Sequence, residues 1–135
     1  MSSREEFLAQ VLPPLENGET YCSWGNKGNS IKQRFAESLE GLSQLSDDLL
    51  NDSYNVFFAL ASFGPEDNGR YAANAHALKA FFLDIDCGPT KATPDKYGRV
   101  LGYIDQATGL QAVKDLCATL KLPRPTIVDS GRGWH

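Results

Sequence analysis

Lys79-Ala80-Phe81-Phe82-Leu83-Asp84-Ile85-Asp86-Cys87-Gly88 runs from an apolar segment into two carboxylates one residue apart, and Gly88-Pro89 closes it. The run is too short for several helical turns. Its Phe, Leu and Ile content, bounded by Gly and Pro, predicts a buried β-strand. Side chains alternate on a strand, so Asp84 and Asp86 are expected on one face, roughly 7 Å apart, with Leu83 and Ile85 turned into a core. Two like charges held together repel unless a cation sits between them. Hard divalent ions such as Mg²⁺ or Mn²⁺ take carboxylate oxygens of this kind and bring phosphates with them. Taken alone, an Asp-x-Asp also fits two aspartates that merely face water where the strand ends.

Upstream of this stretch, residues 4–12 carry Phe7, Leu8, Val11 and Leu12 at helical spacing, and Pro13-Pro14 stops them. A turn at residues 16–19 leads into β-type composition at residues 20–24. Gly25-Asn26-Lys27-Gly28-Asn29 reads as a flexible, partly basic loop, with Lys32 and Arg34 close behind as a nucleic-acid track or a solvated face. From residue 31 to 50, Ile31, Phe35, Leu39, Leu42, Leu45, Leu49 and Leu50 predict helix, interrupted near Gly41. Residues 55–63 form a second strand-like run, apolar on both faces and therefore expected at the centre of a sheet. A surface loop follows at residues 64–69. His76, among alanines, reads as structural.

Downstream, residues 89–102 form a long polar loop bearing Lys91, Lys96 and Arg99. Positive charge beside a carboxylate pair suits a site that handles phosphates. A helix is expected over residues 108–120, with Thr108 and Gln111 at capping-box spacing and Leu110, Val113, Leu116, Cys117 and Leu120 as its stripe. Residues 125–129 read as a third strand. Strand, helix and strand in this order predict an α+β fold, a mixed β-sheet flanked by helices, in a single domain over residues 1–135.

Composition sets the outer limits. A chain of 135 residues, 41% apolar and 22% charged, is large enough for a real core and ordinary for a globular domain. A formal net charge of −4 argues against non-specific coating of nucleic acid, though not against a local basic groove. No stretch reads as a membrane span or a secretory leader, and the 3 scattered cysteines fit reduced thiols in a cytoplasmic protein better than a disulfide framework or zinc site.

The closing Ser130-Gly131-Arg132-Gly133-Trp134-His135 is the second cluster of chemistry. Its glycines allow a sharp turn and close approach of backbone to a ligand. Ser130 and the loop amides are hydrogen-bond donors for phosphate oxygens, Arg132 is a planar charged fork, and His135 adds a titratable donor. A simple hairpin turn is the other reading of Gly-Arg-Gly.

Together these two clusters give the chain a family resemblance. It resembles the archaeo-eukaryotic primase superfamily, particularly the primase–polymerase domains of phages and plasmids. The family's first motif, apolar residues then Asp-x-Asp, matches residues 81–86, and its second, a small residue, any residue and His, matches Gly133-Trp134-His135 after a Ser-Gly-Arg-Gly turn. Residues 56–63 and 122–128 are similar to the text that precedes the two motifs in those proteins, so the likeness covers most of the chain.

The resemblance implies a primase–polymerase-like catalytic core in which Asp84 and Asp86 bind Mg²⁺ or Mn²⁺, and Ser130, Gly131, Arg132 and His135 hold the triphosphate of a nucleotide. The implied activity is nucleotidyl transfer, joining nucleoside triphosphates on a single-stranded DNA template or primer during replication, with a helicase or other replication protein as a further partner. It implies a phage- or plasmid-encoded protein working in a host cytoplasm, with no membrane partner. Stacking of a base on Trp24 or Trp134 is a further possibility, beside a packing role for each. The family's third motif, a later aspartate, has no counterpart before the chain stops at His135. The core is thus expected to be incomplete at its C-terminus and the chain alone weak or inert, with Asp105 and Asp129 as unsupported substitutes. Two rivals stand beside this reading: a non-catalytic nucleotide- or DNA-binding module derived from a primase, and another Mg²⁺/Mn²⁺-dependent phosphotransfer or phosphohydrolase enzyme.

Overall fold

The computed structural model describes residues 2–65, 69–131 and 133–135. Residues 66–68 of the expected surface loop, and Arg132, lie outside the described residues. The chain divides into two compact units, Met1–Phe81 and Phe82–His135. Its elements make it an α+β protein of helices and antiparallel sheets. Among the described residues no helix is long and apolar enough to cross a membrane.

The first unit opens with α1 (Ser3–Val11), started by a capping box in which Ser2 and Glu5 satisfy each other's backbone N–H groups. β1 (Tyr21–Lys27) and β2 (Ser30–Ala36) form an antiparallel hairpin that closes at Lys27 and Ser30. Gly28 opens the two-residue turn at φ +57, a conformation that costs a glycine little. Two expectations are corrected here. The loop over residues 25–29 is mostly strand, and the helix over residues 31–50 begins only with α2 (Leu39–Asn51), capped by Ser38. Ile31, Phe35 and Leu39 have helical spacing, but Ile31, Gln33 and Phe35 also share one face of a strand. Pairing with β1 decides the matter, and local periodicity cannot register it.

β3 (Asn55–Phe58) lies on the other edge of β1, giving the order β2-β1-β3. The central strand is therefore β1, not the 55–63 run. That run breaks at residues 59–60, and β4 (Ala61–Phe63) pairs instead with β5 (Ala75–Leu78). Leu8, Leu12, Tyr21, Ala36 and Leu42 form the core between sheet and helices, and Tyr21 Oη donates to the Pro13 carbonyl at 2.7 Å. Cys22, Ala61 and Phe63 make a second cluster on the opposite side of β1. Burial pushes the Cys22 thiol up to about 11, so it is a protonated packing group. The other cysteines are also free thiols.

His76 pairs through Nδ1 with Glu19 Oε1, joining β5 to the entry of β1. Burial pushes the Glu19 carboxyl up, but the adjacent Ser62 hydroxyl, the Glu16 backbone N–H and the His76 charge together leave it below the usual range. Ser62 Oγ makes no well-formed hydrogen bond among the described residues, so its effect on Glu19 is one of proximity. Trp24 stacks on Phe57 at 4.5 Å with the Arg70 guanidinium over its ring at 4.4 Å, a packing role. Lys27 and Lys32 both reach Asp52, by its carbonyl and its carboxylate, and so are engaged on one local acid.

The second unit holds β6 (Ile85–Asp86), α3 (Pro89–Ala92), α4 (Gln106–Leu120) and β7 (Gly133–Trp134). The strand expected over residues 79–88 shrinks to β6. Phe81, Phe82 and Leu83 are not buried but 104%, 62% and 51% exposed. A strand needs a partner for its backbone, and the partner on this edge, β7, opposes only Ile85 and Asp86. Residues 125–129 are not a strand either. Pro123 and Pro125 remove ladder donors, and pairing starts only where Val128 and His135 exchange backbone hydrogen bonds at 2.9 and 3.0 Å. One mixed sheet is replaced by separate antiparallel ones, and the parallel contact among the described residues is the isolated bridge from Cys87 to Tyr103.

The polar loop contains α3 and a tight turn in which Asp95 accepts from the backbone of Tyr97 and Arg99. α4 starts two residues earlier than expected, capped by Asp105, whose Oδ1 accepts from Thr108 N–H at 2.7 Å. The expected Thr108–Gln111 box is displaced because Asp105 already fills the capping position.

Candidate functional site

The two sequence clusters meet at the β6–β7 pair. Ile85 lies opposite Trp134 and Asp86 opposite Gly133. Continuing the register by one residue puts Asp84 across from His135, and His135 Nδ1 lies 3.3 Å from Asp84 Oδ1. Alternation then sorts the faces. Trp134 Nε1 donates to the Gln106 carbonyl at 2.8 Å, and Ile85 and Cys87 lie against Gly109, so these side chains face α4. Asp84, Asp86 and His135 occupy the other face.

The strand that carries Asp86 is gripped on both edges. A Cβ at Gly133 would overlap the Ile85 carbonyl, and a Cβ at Gly102 would overlap that of Asp86. Tyr103 N–H donates to the Asp86 carbonyl at 2.9 Å, and Gly88 N–H returns a bond to Tyr103 at 2.8 Å. Gly109 is equally tight: a Cβ there would lie 2.8 Å from Cys87 Sγ. Backbone packed on backbone fixes where Asp86 begins, with little freedom left to drift.

Both carboxylates are partly open to solvent, Asp84 at 63% and Asp86 at 44% side-chain exposure. Asp86 Oδ2 accepts from Lys91 Nζ at 2.7 Å. Of the three cations in the 89–102 segment, Lys91 alone reaches the pair. Arg99 is bound to Asp95, and Lys96 lies over the Tyr97 ring. The sequence shows charge in this segment but not which residue carries it to the site. Gly102 and Gln106 gave no signal, because their contacts depend on long-range pairing.

The closing turn is built from its own donors. Gly131 adopts φ +79, its N–H donates to Asp129 Oδ1 at 2.7 Å, and Ser130 N–H and Oγ both donate to the Gly133 carbonyl at 3.1 and 3.2 Å. Asp129 also accepts from Gln106 Nε2 at 2.8 Å. Ser130 and Gly131 thus close a hairpin, leaving His135 as the described residue of this cluster that faces the carboxylates. Arg132 lies outside the described residues.

As a metal site the donor set is partial. Among the described residues no three His, Cys, Asp or Glu side chains gather into a ready-made cage. Asp105 and Asp129 are engaged in the α4 cap and the closing turn, and backbone hydrogen bonding from Thr108 holds the Asp105 carboxyl below the usual range. Two hard oxygen donors one residue apart, Asp86 in β6 and Asp84 just before it, still suit Mg²⁺, which keeps several waters and is commonly held by one or two carboxylates plus substrate phosphates. In comparisons with known proteins, no family model, curated protein or solved structure matches this chain.

Proposed function

We propose that this chain is the metal- and nucleotide-binding part of a template-directed nucleotidyltransferase of the primase–polymerase type. The observation that carries the reading is the register of β6 and β7, which sets His135, just after the Ser-Gly-Arg-Gly turn, beside Asp84 and on the same face as Asp86. Asp84, Asp86 and His135, far apart in sequence, then share one polar face, to which Lys91 adds an ammonium at Asp86. That is the combination a metal–triphosphate complex needs: hard anionic oxygens for the cation, and N–H donors for the phosphates.

In this mechanism Asp84 and Asp86 would hold Mg²⁺ or Mn²⁺. When bound, the metal would activate a primer 3′-hydroxyl and stabilise charge on the pyrophosphate leaving group. His135 exchanges its contact with Asp84 for a phosphate oxygen. The Ser130 hydroxyl turns from the Gly133 carbonyl to the same group, and Arg132 supplies permanent positive charge. Strand β6, pinned between Gly133 and Gly102, keeps Asp86 in place while these donors rearrange. Single-stranded DNA supplies template and primer.

A narrower reading, binding without turnover, is favoured by the two-carboxylate donor set with Asp105 and Asp129 engaged elsewhere. One pair of assays tests both. Calorimetric titration of a deoxynucleoside triphosphate with Mn²⁺ is expected to show binding that a folded Asp84→Ala/Asp86→Ala variant loses. Extension of a primer on single-stranded DNA then separates transfer from binding alone. Equal nucleotide binding by wild type and variant would overturn the proposal. Template-independent hydrolysis of a simple phosphoester with Mn²⁺ would favour a phosphohydrolase.

A further inference from the structure

Lys91 is placed with more care than a surface lysine needs. Its N–H donates to the Gly88 carbonyl at 3.0 Å and its own carbonyl accepts from Leu101 at 3.2 Å, so its backbone is tied on both sides. Its Cβ lies against Gly102, where an added methyl would approach to 3.0 Å. From this anchor Nζ spans to Asp86 Oδ2 at 2.7 Å. Among the described residues no other lysine or arginine pairs with Asp84 or Asp86. The opposite carboxylate has His135. Each acid therefore already has its own nitrogen partner, although both are partly open to solvent.

An ammonium and a divalent cation compete for the same carboxylate oxygens. With a metal held at Asp86, Nζ would be released yet stay tethered within reach, and it would carry its charge to the anion that accompanies the metal. We propose that Lys91 is the resident counter-ion of the carboxylate pair and becomes a phosphate ligand once a metal–nucleotide complex is bound. This rests on the metal- and nucleotide-binding reading above. It adds a specific consequence: Lys91 opposes metal alone and favours metal with triphosphate.

The two signs make the idea testable by calorimetry on the whole chain, with Mn²⁺ alone and then with a deoxynucleoside triphosphate in saturating Mn²⁺. Lys91→Gln should bind Mn²⁺ alone about 2- to 5-fold more tightly, the range set by losing one partly exposed ion pair. The same variant should bind the metal–nucleotide complex about tenfold more weakly, as expected for loss of a charge-assisted hydrogen bond. Lys91→Arg keeps the charge and should stay close to wild type in both, which guards against a fold defect in the Gln variant. Weaker or unchanged Mn²⁺ binding by a folded Lys91→Gln would overturn the inference, since a purely structural lysine acts in that direction. Absence of any Mn²⁺ or nucleotide binding by wild type would instead remove the underlying site reading, and the inference with it.

Discussion

In Met1–Phe81, Leu8, Leu12, Tyr21 and Leu42 are almost wholly withdrawn from water; in Phe82–His135, the described residues buried to that degree are Gly109 and Gly133. The first unit closes on side chains. The second closes on backbone, with glycines letting β6, β7, α4 and the Gly102–Tyr103 segment approach, while Leu101, Ile104, Leu120 and Leu122 stay exposed. These are different ways of being well defined. A side-chain core supplies most of the apolar burial that stabilises a fold, and a neighbour can relax into a small change. Backbone contact through glycine supplies little burial but fixes geometry, and one methyl group is enough to prise it apart. The candidate site lies in the second kind of structure.

The largest effect is expected from Gly133→Ala. The new Cβ must push β7 off β6, separating His135 from Asp84. Metal-dependent nucleotide binding should fall by at least about tenfold, because displacement by an ångström is sufficient to disable such a site. The thermal transition of the first unit should stay in place, which circular dichroism and amide exchange of β1 would check. Unchanged nucleotide binding by this variant would mean that β6–β7 contact does not build the site.

Leu42→Ala probes the other half. Leu42 is fully buried in the core between α2 and the sheet, so its truncation should cost about 2–5 kcal/mol in denaturant unfolding. The effect belongs to stability, and the variant should still bind nucleotide under conditions where it is folded. A loss well under 1 kcal/mol would contradict a side-chain core at this position.

The smallest effect expected is on acid sensitivity. Glu19 in the first unit has its folded-state carboxyl held below the ordinary value of 4.5. A depressed folded pKa stabilises the fold above the unfolded value, and the contribution is lost as pH falls from about 4.5 through the lower folded one. Glu19→Gln should therefore flatten the acid limb of the stability profile of β1 and β5 amides, leaving those of β6 unchanged. A parallel acid limb in wild type and variant would show that the His76–Glu19 pair adds nothing there.

Much of the first unit's local structure was legible. Phe7, Leu8, Val11 and Leu12 ahead of Pro13-Pro14 announce α1, and the β-type residues 20–24 fall in or beside β1. The β1–β2 hairpin was not legible, because Ile31, Phe35 and Leu39 satisfy a helical period as well as a strand one. Its signal was Gly28-Asn29 between two pairable runs. In the second unit, the Asp-x-Asp and the Ser-Gly-Arg-Gly segment stood out as chemistry, and the structure brings Asp84 and His135 together. The strand around Asp84 is shorter than its composition predicts. Phe81, Phe82 and Leu83 have strand composition, but composition says nothing about whether a partner lies alongside. Lys91's role was hidden for the same reason, since its ion pair depends on how α3 folds back after Gly88.

The proposed divalent-metal site at Asp84 and Asp86 is tested most directly by locating the metal itself. Mn²⁺ is paramagnetic, so titrating it into isotope-labelled protein maps its position directly through line broadening of amide resonances. Broadening should concentrate at residues 84–87 and 133–135 and be abolished by Asp84→Ala/Asp86→Ala. Broadening centred on other acidic surfaces, such as Asp47 beside Arg4, or none at any residue, would contradict the proposed site.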